Sequence, residues 1–247
     1  MKINIILRKF RTLTNIIKYA ILEKTFRGKL KYLYFDKGCQ DLMICFAALP
    51  PREKPLYNFV KSFDKLPLDR LYIGDYWGYR GSYYLYENGS THPYKQTCEL
   101  IDFILSKKNY RNVYTAGTSK GGTAALIFGM KYNVKCIFTG ACQYHIGSFV
   151  NIPVHEKIFK GMMGVYAGEK EEAFLNNYIS NMIDIVNFHG KIHLLYSKLE
   201  HTYPEHIKFL IDKLNVKNIN VVEVEKSFKN HGDVGNYFIP YVLNYFK

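Results

Sequence analysis

The chain has 247 residues, of which 48% are hydrophobic, and it carries a formal net charge of +13. That length supports one α/β domain with a large core, and no repeat or Pro/Gly/Ser-rich linker divides it. The five cysteines form no C-x-x-C pair, and three of them lie inside apolar stretches. An odd number in such settings favours reduced core thiols in a cytoplasmic protein over a disulfide framework. His189 and His193 lack the glutamate of an H-E-x-x-H motif, so no metal site is expected.

The positive charge is densest at the start of the chain, where residues 1–31 hold nine Lys and Arg against one acid. A basic balance suits nucleic acid, an anionic membrane, or an anionic substrate with a phosphorylated co-substrate. No nucleic-acid-binding motif accompanies the charge, so nucleic acid is not expected as a partner. A lysine-rich genome would produce the same excess without any functional meaning.

Residues 1–28 form a basic amphipathic segment. Its apolar residues share one face of a helix: Phe10, Leu13, Ile16, Ile17, Ala20 and Ile21. This pattern over residues 8–24 is typical of a helix lying on the inner face of a membrane, and it equally suits a helix that covers the edge of the domain. The apolar run at residues 3–7 is too short for a signal peptide, and no stretch approaches the ~20 apolar residues of a transmembrane helix.

Strands and helices alternate from residue 29 onward. The predicted elements of the first half are an edge strand at 29–35, a central strand at 41–48, a short helix at 57–63, a strand at 70–74 and a helix at 94–105. The edge strand alternates apolar and basic residues. The central strand is almost wholly apolar, as a parallel sheet covered on both faces requires.

The sequence G-T-S-K-G-G at residues 117–122 lies between a predicted strand (112–116) and a predicted helix (123–130). Strand, G-x-S-x-G and helix in this order are the context of a nucleophile elbow. Glycines let the chain turn sharply, and Ser119 would stand at the apex with its hydroxyl exposed. The motif alone also occurs in plain Gly/Ser loops. The flanking elements favour Ser119 as the nucleophile of an acyl-transfer enzyme.

The second half completes the sheet and adds an insertion. Its predicted elements are a strand at 135–139, helices joined by Gly-bearing turns at about 141–187, a strand at 191–197, a helix at 204–214, a strand at 218–224 and a helix at 233–246. Repeated β-α units place active residues at the carboxyl ends of the strands. We predict an α/β-hydrolase fold: a mostly parallel central sheet with helices on both faces and a small helical lid, the insertion.

A serine hydroxyl needs a base, and the base needs an orienting group. In this fold the chain order is Ser, acid, His. Of eight histidines, His231 alone follows the final strand and precedes the final helix. Glu200 directly follows the penultimate strand and is the predicted acid. Glu205 is the competitor, although it also suits a helix N-terminus, and Asp184 is the outside candidate.

The oxyanion hole needs two N–H donors. One is predicted to be the amide of Lys120, the residue after the nucleophile, and the other to come from the loop after an early central strand. In that loop Ala47 and Ala48 are small enough for close approach of a substrate, and the sequence does not separate them. The side chain of Lys120 would add positive charge to the site or lie in solvent on the helix.

Four stretches recur in the order of a known family: C-F-A-A-L-P-P at 45–51, Y-N-F-V-K at 57–61, R-G-S-Y-Y at 80–84 and G-T-S-K-G-G at 117–122. The series resembles bacterial capsule-polymer O-acetyltransferases of α/β-hydrolase fold and, more distantly, accessory-secretion proteins that acetylate adhesin glycans. The resemblance covers residues 29–247. It implies that Ser119 is acetylated and that His231 is the base. Glu200 stands where the family has aspartate, and Gly232 intervenes where the family has His directly followed by Asp.

The resemblance implies transfer of an acetyl group from acetyl-CoA, as a co-substrate and not a bound cofactor, to a hydroxyl of an anionic polysaccharide or its precursor. Arg80, in the R-G-S-Y-Y stretch, is the candidate substrate contact, with a structural ion pair as the alternative. A carboxylesterase or deacetylase of the same fold and a non-catalytic scaffold of surface-glycan assembly are the competing functions. A complete set of serine, acid and histidine argues against the scaffold, and a water-excluding lid favours transfer over hydrolysis.

Overall fold

The structure, a computed structural model, describes residue 19, residues 21–50 and residues 57–247. The predicted amphipathic helix over residues 8–24 therefore lies almost entirely outside the described residues. Among the helices that are described, none combines the length and the apolar character needed to cross a membrane.

An eight-stranded sheet organises the described chain. Its strands are β1 (Lys24–Phe26), β2 (Leu30–Phe35), β3 (Asp41–Phe46), β4 (Asp69–Ile73), β5 (Asn112–Thr118), β6 (Cys136–Gly140), β7 (Lys191–Tyr196) and β8 (Val221–Glu225). They lie side by side in the order β1-β2-β4-β3-β5-β6-β7-β8. The pairs β1/β2 and β2/β4 are antiparallel and the other five are parallel. The predicted mostly parallel sheet is thus confirmed.

Helices cover both faces of this sheet. They are α1 (His92–Ser106), α2 (Lys120–Lys131), α3 (Ile146–Val150), α4 (Glu156–Met163), α5 (Glu169–Ile185), α6 (Lys208–Val216) and α7 (Val234–Tyr245). A π-helical turn, Tyr203–Ile207, leads into α6, and a 3₁₀ turn, His231–Asp233, leads into α7.

Successive residues of a strand point to opposite faces of the sheet. Leu42 and Ile44 of β3 accordingly join the core beneath α1, α2, α5 and α6, whereas Met43 and Cys45 join the core beneath α7. Because both faces are buried, the central strands need apolar residues at every position, which explains the nearly continuous apolar run of β3.

Two of the predicted elements differ in the structure. The predicted edge strand, β2, lies inside the sheet, because β1 pairs with it along its outer side. The sheet thus begins within the segment assigned to residues 1–28. Residues 57–63 form turns and not a helix. Phe59 there adopts a φ of +67°, a left-handed conformation that a right-handed helix cannot include.

The insertion between β6 and β7 is helical, as the sequence predicts. It contains α3, α4 and α5, and each contributes buried side chains to the core: Ile146 and Val150, Ile158 and Phe159, and Leu175 and Ile179. The insertion is therefore packed on the domain and not a separate unit.

Candidate active site

Ser119 stands at a strained turn between β5 and α2. Its φ of +54° and ψ of −130° are costly for a residue with a Cβ atom. Gly117 and Gly121 make the turn possible, since a Cβ on Gly117 would lie 2.0 Å from the Gly121 carbonyl oxygen. A Cβ on Gly121 would lie 2.4 Å from the carbonyl oxygen of Phe46. The strand–turn–helix geometry predicted for the elbow is present, and the glycines hold it against the end of β3.

Glu200 and His231 meet across the carboxyl ends of β7 and β8. The Nδ1 of His231 lies 2.9 Å from Glu200 Oε1, and Glu200 is only 2% exposed. The other carboxylate oxygen of Glu200 accepts a hydrogen bond from the Thr202 hydroxyl. His231 Nε2 is buried and has no hydrogen-bond partner among the described residues. His231 and Ser119 line the same cleft, but the structure shows no hydrogen bond between His231 Nε2 and the Ser119 hydroxyl.

The environment of Glu200 keeps it ionised. Burial raises the pKa of its carboxyl group, but hydrogen bonds from His231 and Thr202 outweigh this effect and leave the pKa below its ordinary value. A buried carboxylate on Nδ1 fixes the imidazole with Nε2 unprotonated and stabilises the imidazolium that forms when it accepts a proton.

The two other acid candidates do not contact His231. Asp184 is paired at the surface with Lys213 and Lys217, at 2.7 and 2.9 Å, and Glu205 is exposed. Among the three acids considered, Glu200 is the one that the fold brings to the histidine.

His201 is a site residue that the sequence reasoning missed. Its Nδ1 lies 2.8 Å from the Oε1 of Glu200, so two histidines share one carboxylate oxygen. His201 is half-exposed and lines the cleft beside His231. Ligand atoms of Glu200, His201 and His231 lie within 4.8 Å of one another, which would admit a metal ion. The two Nδ1–carboxylate contacts explain the arrangement by themselves, and the expectation of no metal stays a prediction.

The predicted oxyanion donors differ in availability. The Lys120 amide is the first of α2, a position without an intrahelical acceptor. The Ala47 amide donates to the buried Tyr84 hydroxyl at 2.8 Å, and the Ala48 amide donates to Asn58 Oδ1 at 2.8 Å. Ala47 is poorly placed because its acceptor is buried beneath the site. Ala48 and Asn58 line the cleft, so Ala48 would become available only if the Asn58 side chain moved.

The side chain of Lys120 neither lies in solvent nor adds net charge to the site. It is fully buried, and its Nζ lies 2.6 Å from Asp75 Oδ2. Burial lowers the pKa of the Lys120 ammonium, and the attraction of Asp75 opposes that shift. The lysine of the elbow thus forms a buried ion pair beneath the site.

This ion pair explains the R-G-S-Y-Y stretch at residues 80–84. A Cβ on Gly81 would lie 2.7 Å from Asp75 Oδ2, so only glycine fits there. The amides of Ser82 and Tyr84 donate to the same oxygen at 2.8 and 3.3 Å. The stretch is therefore a support built around Asp75, and Tyr84 also accepts the Ala47 amide.

Arg80 is held by the backbone. Its Nε donates to the Pro50 carbonyl at 2.8 Å, which ties the R-G-S-Y-Y stretch to the loop that follows β3. This contact is neither the predicted substrate contact nor the alternative ion pair, and the substrate-binding role of Arg80 stays a prediction.

Gln143 is a second residue that the sequence reasoning missed. It is fully buried after β6, and its Nε2 lies 3.2 Å from Ser119 Oγ. Its Oε1 accepts from the Tyr83 hydroxyl at 3.3 Å. The Thr123 hydroxyl on α2 accepts a hydrogen bond from the backbone amide of Gln143 and donates one to the backbone carbonyl of Gln143. Nothing in the local sequence A-C-Q-Y marks this glutamine, because its partners lie 20 to 60 positions away.

The cleft above Ser119 has a volume of about 600 Å³. Its polar lining consists of Asn58, Thr118, Ser119, His155, His201 and His231. Phe149 and His155 come from the helical insertion, and other apolar walls come from the loop after β3 and from α7. The cleft is large enough for an acyl group and part of an acceptor.

No protein-family model matches the chain, and no curated protein sequence matches it significantly. Solved structures do. The capsule O-acetyltransferase of Neisseria meningitidis serogroup A has a TM-score of 0.76 and 24% identity, over 91% of this chain and 93% of that one. A mutant of that enzyme in complex with CoA has a TM-score of 0.77 and 23% identity, over 91% and 94%.

Two further neighbours have different names. The glycosylation-associated protein complex Gap123 of Streptococcus agalactiae has a TM-score of 0.72 and 17% identity, over 90% of this chain and 46% of that chain. FphF, a fluorophosphonate-binding serine hydrolase of Staphylococcus aureus, has a TM-score of 0.63 and 12% identity, over 92% and 97%. The chain therefore has the α/β-hydrolase fold that its sequence predicts, and its structure is similar to that of a capsule O-acetyltransferase.

Proposed function

We propose that this protein is an O-acetyltransferase that carries an acetyl group from acetyl-CoA to a hydroxyl of an anionic surface polysaccharide or its precursor. The observation that supports it most is the contact of the buried Glu200 carboxylate with His231 Nδ1, because His231 and Ser119 line the same cleft. The similarity to a capsule O-acetyltransferase, one structure of which contains CoA, supports the choice of donor and acceptor. The formal charge of +13 suits anionic partners.

The first half-reaction loads the enzyme. Ser119 Oγ bonds to the carbonyl carbon of the acetyl thioester while its proton passes to His231 Nε2, and the carbonyl electron pair moves onto oxygen. Glu200 stabilises the imidazolium, and the Lys120 amide donates to the oxyanion. The carbon–sulfur bond then breaks, and the CoA thiolate takes the proton from His231. The products are acetyl-Ser119 and free CoA.

The second half-reaction transfers the acetyl group from Ser119 to the acceptor. The acceptor hydroxyl enters the cleft, gives its proton to His231 Nε2 and bonds to the acetyl carbon. When the bond to Ser119 Oγ breaks, His231 returns the proton to that oxygen, and the acetylated polymer leaves. The insertion over residues 141–187 acts as a lid in this proposal, because Phe149 and His155 narrow the cleft and limit the entry of water.

Intact-mass measurement after incubation with acetyl-CoA tests the proposal. One acetyl adduct is expected on the parent chain and none on Ser119→Ala. The adduct should then disappear faster when an anionic capsular polysaccharide is added, with one thiol released per acetyl group transferred. An adduct that persists in Ser119→Ala would refute Ser119 as the nucleophile.

A carboxylesterase is the second candidate, because serine hydrolases share this fold. In that case water would remove the acetyl group from Ser119, and added polysaccharides would not change the rate.

For localisation we propose the cytoplasm, with residues 8–24 touching the inner face of the membrane. Co-sedimentation of the full chain with anionic and neutral vesicles tests the contact, which requires a preference for the anionic ones.

A further inference from the structure

We propose that the side-chain amide of Gln143 is the second oxyanion donor of this site, acting with the backbone amide of Lys120. The inference rests on the proposed function, since it concerns the tetrahedral intermediate formed on Ser119. It assigns to a buried side chain a task that the sequence pattern gives to the loop after β3.

The loop donors expected after β3 are already engaged in other hydrogen bonds. The Ala47 amide donates to Tyr84, whose hydroxyl is itself buried and donates to the Ile73 carbonyl. The Ala48 amide donates to Asn58 at 2.8 Å. An oxyanion hole works because its donors are aimed in advance at the place where charge develops. In this arrangement both amides already donate to side-chain oxygens, so neither is available for an oxyanion without a rearrangement.

The side-chain amide of Gln143, in contrast, points at the hydroxyl of Ser119. Its Nε2 lies 3.2 Å from Ser119 Oγ. The oxyanion of the intermediate is bonded to the same carbon as Oγ, and in this proposal that oxygen lies on the side of Oγ that Gln143 occupies. An amide NH₂ has two hydrogens, and it can donate to both oxygen atoms.

Burial and hydrogen bonds hold the Gln143 side chain in this orientation. The side chain is fully buried, and its Oε1 receives the Tyr83 hydroxyl. Thr123 binds both the amide and the carbonyl of the Gln143 backbone, at 2.9 and 3.0 Å. With the oxygen held by Tyr83, the nitrogen must point to Ser119. A buried, fixed dipole of this kind needs no reorganisation when the charge appears.

The test uses Gln143→Glu and Gln143→Met in the full chain. Methionine keeps the volume and removes both the donor and the acceptor, whereas glutamate keeps the shape and the acceptor for Tyr83 and lacks the donor when it is ionised. Gln96→Met, on α1, is the matched control. Melting temperatures and circular dichroism establish that the variants are folded. We expect both Gln143 variants to lower kcat by roughly 10²–10³ with little change in KM, and the control to match the parent chain.

Single-turnover experiments separate an oxyanion donor from a residue that only positions Ser119. Acetyl-Ser119 is formed by incubation with acetyl-CoA. After the acetyl-CoA is removed, the loss of the acetyl group from Ser119 is followed by intact mass. An oxyanion donor serves both half-reactions, so acetylation and deacetylation should both slow. Slower acetylation with normal deacetylation would overturn the proposal, because Gln143 would then only orient Ser119 Oγ. Folded variants with parental rates in both steps would also overturn it.

Labelling by a fluorophosphonate distinguishes this failure from failure of the proposed function. The reagent bonds phosphorus to Ser119 Oγ and releases fluoride, and its phosphoryl oxygen takes the place of the oxyanion. A parent chain that is labelled but never acetylated by acetyl-CoA would refute acetyl-CoA as the source of the acetyl group. The role of Gln143 could then still be tested by the labelling rate. Labelling that slows at least tenfold in both Gln143 variants supports the oxyanion role, and unchanged labelling refutes it.

Discussion

Glu200→Gln measures how much of the reaction depends on the negative charge of Glu200. In the structure, Oε1 of Glu200 is within hydrogen-bond distance of the Nδ1 atoms of His231 and His201. Its other oxygen accepts a hydrogen bond from the Thr202 hydroxyl. A hydroxyl accepts as well as donates. The amide of the variant can therefore turn its oxygen to the histidines and its NH₂ to Thr202, which keeps His231 in the active tautomer.

The magnitude follows from what is lost in that orientation. A hydrogen bond to a charged group contributes about 1.5–3 kcal/mol, and a neutral one about 0.5–1.5 kcal/mol. Stabilisation of the imidazolium therefore falls by about 1–2 kcal/mol, which corresponds to roughly a 5–30-fold lower kcat. The opposite orientation would force the wrong tautomer and a loss of ~10⁴. The double variant Glu200→Gln/Thr202→Val removes the acceptor for the NH₂, and its loss should approach that larger value.

The assay is acetylation of Ser119 in single turnovers, followed by intact mass at neutral pH, with melting temperatures for each variant. Glu205→Gln and Asp184→Asn are matched controls, because both acids are at the surface and neither contacts His231. Both should react at the parental rate. A ~10⁴-fold loss in Glu200→Gln alone would refute the role given to Thr202. A parental rate in that variant, or a large loss in Asp184→Asn, would refute Glu200 as the orienting acid.

Three further predictions concern stability, measured by denaturant unfolding. Lys120→Met leaves the Asp75 carboxylate buried and unpaired and should lower the free energy of unfolding by about 3–5 kcal/mol. Lys213→Ala removes an exposed ion pair and should lower it by at most about 1 kcal/mol. Equal losses in the two variants would show that burial of the ion pair does not determine its contribution. Gly117→Ala should lower the free energy of unfolding by ~3 kcal/mol or more, because its Cβ would meet backbone atoms. Gly168→Ala has open space around it but lies at the N-cap of α5, so its cost should be at most about 1 kcal/mol. A stable Gly117→Ala would show that the elbow can relax. Burial lowers the pKa of His206 to about 4 from 6.5, so only the unfolded state is protonated between these values. This histidine should therefore lower the stability by up to about 1.4 kcal/mol per pH unit as pH drops from 6.5 to 4, and His206→Gln should reduce the measured slope by that amount.

The elements of the fold could be predicted because their signals are local. The elbow sequence, the apolar run of β3 and the order of strands and helices each appear within a few residues. The predicted helix at 57–63 fails because its apolar spacing is right but Phe59 turns into the left-handed region. The predicted edge strand fails because the three residues of β1 have no pattern of their own and are strands only through pairing with β2.

The site was predicted to the extent that a rule of chain order applies to it. Ser119, Glu200 and His231 follow such a rule, and the structure brings Glu200 and His231 together. Asp75 and Gln143 follow none. Asp75 meets Lys120 from 45 positions away, and Gln143 is placed by Thr123 and Tyr83. A buried ion pair or a buried amide can be recognised only once the elements that bury it are known.

The support around Asp75 also affects how the site exchanges hydrogen with solvent. By chain position, residues 80–84 are a connection between β4 and α1, and such segments ordinarily open by themselves. Here Arg80, Tyr83 and Tyr84 have positive φ values, and the amides of Ser82 and Tyr84 end on a carboxylate with no exposure to water. Opening this segment alone would break the hydrogen bonds from these two amides to Asp75, and no water would be present in the interior to replace them. These two amides should therefore exchange with deuterium as slowly as the central strands. The scaffold beneath the nucleophile would then open only when the whole domain unfolds.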